Sequence, residues 1–363
     1  MTSSTPLPQQ YEMLCEFAWD QLNHSGLTSP TFLWDASFHR DAEADDEIRM
    51  DVPIASPEEA QQIIDGPITW YLRMMDSLSP TQKANGPSGI PLSDMPTFFI
   101  DSGALAGVEA VISNARSTTR WHDAAVNFSL ALLKTSAFLG SIADREGEGL
   151  TYLKRVIDET RTYFDSVANH ADPVTGGLAL NEIINAACKD DFRFNPIQMV
   201  TLISCALPFA QWDDTRVFVY DAMDRARATM DSIEKDIQAN DRDDPAGNLM
   251  MDSDGNLIDV SAGSIREQFD TSMLLLRHDV LRLCGDDEQA DRLLQDNSDL
   301  EPFADTRAIQ LIAGKRWREL YDFASRILND DPYQQIALIP PNLVPDDWHT
   351  ILDLAQYELA HGQ

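Results

Sequence analysis

The chain has 363 residues, 43% of them hydrophobic, with 60 acidic against 27 basic side chains and a formal net charge of −33. A chain this long and this apolar buries a substantial core, which excludes a disordered tail and predicts two domains or one extended array. A surface of this sign repels another polyanion, so direct nucleic-acid binding is not expected and a basic partner is favoured; only six of the basic residues are Lys, a composition that an acidic, salt-adapted lineage also produces.

No basic segment followed by an apolar core opens the chain, so no secretory signal is expected. The most apolar stretch, PIQMVTLISCALPFAQW at 196–212, is interrupted by Pro and polar residues and falls short of the roughly 20 residues that span a bilayer. Cys15, Cys188, Cys205 and Cys284 lie far apart with no C-x-x-C pair. Reduced, buried thiols in a cytoplasm are the expectation, without a disulfide framework or a zinc site. The histidines show no ligand spacing either, so no metal and no cofactor are predicted.

In chain order, a helix is predicted over 9–22. Two extended runs follow, PTFLWDASF at 30–38 and EIRMDVPI at 47–54, separated by the acidic DAEADDE, and they are expected to pair as a hairpin or small sheet. Ser56 at an N-cap, Pro57 at the first helical position and Glu58 and Glu59 in the first turn then start a helix. SPTQKANGPSGIPLSDMP at 79–96 reads as a loop, and SGALAG at 102–107 as the small-residue start of the next helix.

Beyond residue 101 the chain is predicted to be mainly helical. Between 212 and 237, Val219, Met223, Ala226, Met230, Ile233 and Ile237 recur at spacings of 4, 3, 4, 3 and 4. They form one apolar stripe that must lie against other helices. NDRDDPAGN at 240–248 ends that helix.

The stretch MMDSDGNLIDV at 250–260 admits two readings. As a calcium loop counted from Asp252 it places oxygens at Asp252, Asp254 and Asn256, but Gly255, Leu257 and Gly263 fall at the wrong positions. As a hairpin with Asp254-Gly255 in a type I′ turn, it sets Met251 opposite Ile258 and Leu249 opposite Val260, with one face apolar. The hairpin is the stronger reading, and helices resume near Ser264. The expected organisation is an α+β segment over 1–100, a helical region over 101–240, a loop with the hairpin over 241–262, and a helical region over 263–363.

Three tryptophans open similar segments, Trp121, Trp212 and Trp317. At +3, +7 and +10 from each stand Ala124, Phe128 and Ala131; Thr215, Val219 and Ala222; and Leu320, Ala324 and Ile327. Such offsets set one helix face against its predecessor. The last copy, DTRAIQLIAGKRWRELYDFASRILNDDP at 305–332, resembles a tetratricopeptide-type helical hairpin. Ala308 and Leu311 stand on its first helix, Trp317 after the turn, and Pro332 where that motif closes. WHTILDLAQYEL at 348–359 is a partial further match. The resemblance implies an irregular, α-solenoid-like stack of helical hairpins and a groove that receives a protein or peptide.

Catalytic signatures are sparse. Neither phosphate-binding glycine loop nor a G-x-S-x-G elbow occurs, and His39-Arg40-Asp41 lacks every companion of a kinase loop. His122, His170, His278 and His349 are expected as hydrogen-bonded residues at helix surfaces. If a site exists, the turn after His170 and Asp172 is the place to look. No catalytic residue is assigned. The leading expectation is a non-catalytic helical adaptor or scaffold for a protein or peptide. The alternatives are an enzyme on an all-α scaffold whose site is assembled from distant residues, and an acidic decoy of a nucleic-acid-binding protein.

Overall fold

The computed structural model describes residues 7–23, 49–77, 98–142, 144, 147–189, 197–240, 249–251, 257–259, 262–330, 336 and 347–361. Among them the architecture is mainly helical. The helices are α1 (Leu7–Asn23), α2 (Pro57–Ser77), α3 (Ala106–Arg116), α4 (Trp121–Leu139), α5 (Glu148–His170), α6 (Pro173–Ala187), α7 (Ile197–Ile203), α8 (Asp213–Asn240), α9 (Ala262–Leu283), α10 (Asp287–Asp296), α11 (Glu301–Ala313), α12 (Trp317–Asp330) and α13 (Trp348–His361). Short 3₁₀ turns occupy Ile100–Ser102 and Ser204–Gln211. No helix among the described residues is long and apolar enough to cross a membrane.

The described residues fall into two compact units, one within Asp45–Asp270 and the other made of α1 together with Thr271–Gln363. The N-terminal helix therefore packs with the C-terminal helices, a grouping that the four consecutive segments read from the sequence do not contain.

Within Asp45–Asp270, the start of α2 follows its local chemistry. Ser56 N–H donates to Glu59 Oε2 at 2.9 Å and Glu59 N–H donates to Ser56 Oγ at 3.3 Å, a reciprocal cap that satisfies two otherwise orphaned donors. The residues before it form no strand. Met50 makes a single parallel bridge to Thr118. Asn114 then takes over the role of a neighbouring strand. Its Oδ1 accepts from Ala55 N–H and its Nδ2 donates to Pro53 C=O, both at 3.1 Å, while Asn127 Nδ2 donates to Ala55 C=O at 3.0 Å. Side-chain amides supply the pairing that backbone groups need, so the expected pairing of 47–54 within a sheet is not seen; its proposed partner at 30–38 lies outside the described residues.

The apolar stripe of α8 is buried at Val219, Met223, Ala226, Met230 and Ile233. Strands β1 (Leu249–Met251) and β2 (Leu257–Asp259) pair antiparallel, with Met250 opposite Ile258 and Met251 opposite Leu257. The expected register set Met251 opposite Ile258, so the ladder is shifted by one residue. Five residues separate the paired Met251 and Leu257, and a two-residue Asp-Gly turn does not fit that spacing. The turn itself lies outside the described residues.

In the other unit, α1, α11, α12 and α13 share one core of Tyr11, Leu14, Ala308, Leu311, Leu320, Ala324, Trp348 and Ile351 among others. The Trp-anchored segments behave unequally. Ala124, Phe128, Ala131, Val219, Ala222, Leu320, Ala324 and Ile327 are all buried, but Trp212 is 45% exposed and Trp348 is fully buried. Trp212 closes the 3₁₀ turn ahead of α8 instead of entering the helix, which frees its ring from the core. Pro332 lies outside the described residues.

Candidate functional site

A connected set of polar side chains runs through the α1/271–363 unit, from a sealed interior to a surface cleft. It begins on the last turns of α9, where His278 and Asp279 are completely buried. His278 and Arg282 stand four residues apart and so share a helix face; both reach Gln310 on α11. His278 Nδ1 lies 3.2 Å from Asp279 Oδ1, Gln310 Nε2 lies 3.5 Å from His278 Nε2, and Arg282 Nη2 donates to Gln310 Oε1 at 3.3 Å. One donor order fits all three contacts: His278 Nδ1–H donates to Asp279, and Nε2 accepts from the Gln310 amide. Donation then runs in one direction, from guanidinium to amide to imidazole to carboxylate.

Arg282 carries the set outward. Its Nη1 donates to Asp287 at 3.0 Å and its Nη2 also pairs with Asp291 on α10. Arg307, three residues before Gln310 on the same face of α11, lies 4.0 Å from Asp291 and 3.7 Å from Glu319. Its Nη1 is buried without a hydrogen-bond partner. Burial, then the Arg316 guanidinium, pull the Arg307 pKa below the usual arginine value. Glu319 is held chiefly by Arg316, which bonds it through Nε at 2.7 Å and through Nη2 as well; that bond lowers the Glu319 pKa below the ordinary carboxylate value.

These residues border a cleft of about 560 Å³ formed by α10, α11 and α12, where the partly buried Phe323 supplies the apolar surface above the buried Leu311. Arg326 donates to Ser298 Oγ at 3.0 Å and sits 5.2 Å above the Phe323 ring, where the ring face attracts the cation. Arg292 pairs with Glu288 and Arg318 with Asp322. The lining carries four guanidiniums and four carboxylates; the outside partners Arg282, Arg318 and Asp287 bring this to six against five. A chain with more than twice as many acids as bases thus has the opposite local balance here. Such a surface binds and orients polar groups. His278 is sealed away from it and offers no acid–base function to a molecule in the cleft.

The other residues singled out in the sequence lie elsewhere. His122 is within 3.9 Å of both Asp123 and Glu182 on a half-exposed surface. His170 contacts Ser166 C=O through Nδ1 at 3.0 Å. Asp172 is the N-cap of α6, accepting from Val174 and Thr175 N–H, and its Thr175 hydrogen bonds lower its pKa. The turn at 170–172 is therefore a helix junction. His349 is exposed. His278 departs from the expectation of a helix-surface position, because α9 turns that face fully inward. Asp252, Asp254 and Asn256 lie outside the described residues, and among those described no three His, Cys, Asp or Glu side chains gather as metal ligands. Of the cysteines only Cys205 is buried; Cys15, Cys188 and Cys284 are partly exposed, and all four are free thiols.

The arginines of the cleft were not picked out from the sequence. The available signal was compositional: residues 282–326 hold seven basic and ten acidic side chains, a much higher basic share than the whole chain. Comparisons of the chain with protein-family models, with curated proteins and with solved structures gave no match.

Proposed function

We propose that the chain is a non-catalytic adaptor that holds a peptide segment of a partner protein in the α10–α12 cleft. The observation that supports this reading most is the combination in that cleft of a partly exposed aromatic ring, Phe323, with guanidiniums already fixed by ion pairs. Preset charged donors beside an apolar strip suit an extended chain, whose backbone carbonyls and side chains need both. The tetratricopeptide-type resemblance over 305–332 points to the same segment.

The test is selection of peptides from a displayed random library against the full chain, followed by hydrogen exchange with and without each selected peptide. Slowed exchange concentrated in 287–330 supports the adaptor. Selected peptides that protect other segments, or a selection that returns none, overturn it.

A further inference from the structure

We infer that the cleft recognises an acidic group, a carboxylate or a phosphate on a peptide, and that Glu319 occupies that group's place until it is displaced. This rests on the adaptor reading and names the chemistry of the bound peptide. Its sign is opposite to the one that the net charge alone favours.

The geometry around Glu319 carries the argument. Its carboxylate lies between two guanidiniums from different segments, Arg316 before α12 and Arg307 on α11. The Arg316 contact is two-pronged, through Nε and Nη2, which is the fork geometry that suits any carboxylate or phosphate. The Arg307 contact is loose, at 3.7 Å, and is not a hydrogen bond. Glu319 therefore leaves Arg307 Nη2 without a hydrogen bond from this carboxylate, while Nη1 lies 4.0 Å from Asp291, also beyond hydrogen-bond reach. The resident carboxylate is also removable. Its side chain is 53% exposed and that of Arg316 41% exposed, whereas that of Arg307 is 15% exposed. Both side chains of this pair reach solvent, where screening weakens an ion pair, so an incoming oxyanion competes with Glu319 for the Arg316 fork.

The net charge of −33 does not prevent this. Charges farther away than about 8 Å are largely screened at physiological ionic strength, and the local balance of guanidiniums over carboxylates governs the last approach. Swinging Glu319 out toward solvent adds to that local surplus. A lysine-bearing peptide meets the reverse situation, with the nearby carboxylates already committed to arginines.

The experiment titrates the full chain with four capped tripeptides, Gly-X-Gly with X as phosphoserine, glutamate, serine or lysine, and follows arginine Nε–Hε resonances. The expected result is saturable shifts at Arg307 and Arg316 for the phosphoserine and glutamate peptides, with none for serine or lysine. Arg316→Gln weakens this binding about ten-fold, as loss of a charged hydrogen bond does. Glu319→Gln strengthens it by a few-fold, because a neutral amide competes less for Arg316. Both substitutions are at partly exposed positions, so folding does not mask the result.

A stronger response to the lysine peptide, shifts spread evenly over exposed arginines, or a Glu319→Gln variant that binds the acidic peptides no better would overturn the inference. Failure here is separable from failure of the adaptor. Library peptides that protect 287–330 but are basic leave the adaptor standing without its acidic preference. Selective tripeptide binding with no library peptide protecting 287–330 leaves an anion site without the adaptor.

Discussion

Gly107 on α3 faces the backbone of α2 at Ile63 so closely that a β-carbon on Gly107 stands 2.1 Å from the Ile63 carbonyl oxygen. The atom in the way is main chain, so no rotamer change relieves the overlap. Gly107→Ala is expected to lower stability by about 3 kcal/mol, the upper end for an overpacked core. Gly177 in α6 has nothing within 4 Å of its would-be β-carbon. Gly177→Ala is expected to raise stability by about 0.5–1 kcal/mol through the ordinary helix preference. Thermal unfolding of the two variants checks this, and shifts of the same sign would contradict the helix spacing described.

The pH dependence of stability is expected to divide between two glutamates that share Arg155. Glu109 accepts from Arg155 Nη2 at 2.5 Å, and that hydrogen bond holds its pKa below the ordinary value. Glu159 also bonds Arg155, at 2.8 Å, but burial outweighs the pairing and pushes its pKa up. For Glu109 the folded pKa lies below the unfolded one. Its contribution is therefore present above about pH 4.3, the free glutamate value, and is lost as pH falls through the folded pKa. For Glu159 the folded pKa lies above the unfolded one, so its contribution is complete at low pH and is lost as pH rises through the folded pKa. Glu109→Gln should therefore lose most against wild type at neutral pH and least in acid, with Glu159→Gln following the reverse trend. Urea unfolding of both variants at a series of pH values measures it; parallel trends would show that burial of Glu159 does not dominate.

Trp348 and Trp212 give a third expectation. Trp348 is fully buried, packs edge-on against Phe323 at 5.6 Å, and its Nε1 is buried without a partner. Trp348→Ala should cost about 4 kcal/mol. Trp348→Phe should cost much less, since it keeps an aromatic ring and removes the unpaired N–H. Trp212→Ala should stay within about 0.5 kcal/mol, as for exposed positions in general. Iodide quenching supplies an independent readout, because it should be weakened by removing Trp212 and not by replacing Trp348 with Phe.

Those tryptophans also show how far the sequence can be read. Helical spacing identified the buried faces of α4, α8 and α12, since burial of one stripe is a local, periodic property. It misjudged Trp212, because a 3₁₀ turn containing Pro208 precedes α8 and shifts the helix start past that residue. The 47–54 segment has the alternation of a strand, but the described part of its backbone is met by residues more than fifty positions away: Ser117 and Thr119 at Met50, the Thr118 hydroxyl at Val52 and the Asn114 amide at Pro53. The cleft was hidden for the same reason. Arg282, Gln310 and Glu319 each look like ordinary helix-surface residues, and only the packing of three helices makes them neighbours. His278 stood in an apolar helix stretch, and nothing local distinguished a half-exposed imidazole from one fully enclosed with Asp279.

That enclosure yields the last expectation, which concerns Gln310. Its amide stands between the imidazole of His278 and the guanidinium of Arg282, accepting from the guanidinium at 3.3 Å and facing the imidazole at 3.5 Å. Gln310→Met keeps length and apolar volume but removes both polar ends. His278 Nε2 then loses the Gln310 contact in a site without exposure, and Arg282, whose Nε is already buried without a hydrogen-bond partner, loses one acceptor. A cost of about 2 kcal/mol is expected, the range for stranding buried polar groups. Long-range proton–nitrogen spectra test the donor order directly: the wild-type chain should carry a proton on His278 Nδ1, the nitrogen that faces Asp279. A wild-type signal with the proton on Nε2 would break the donor order from Arg282 to Asp279.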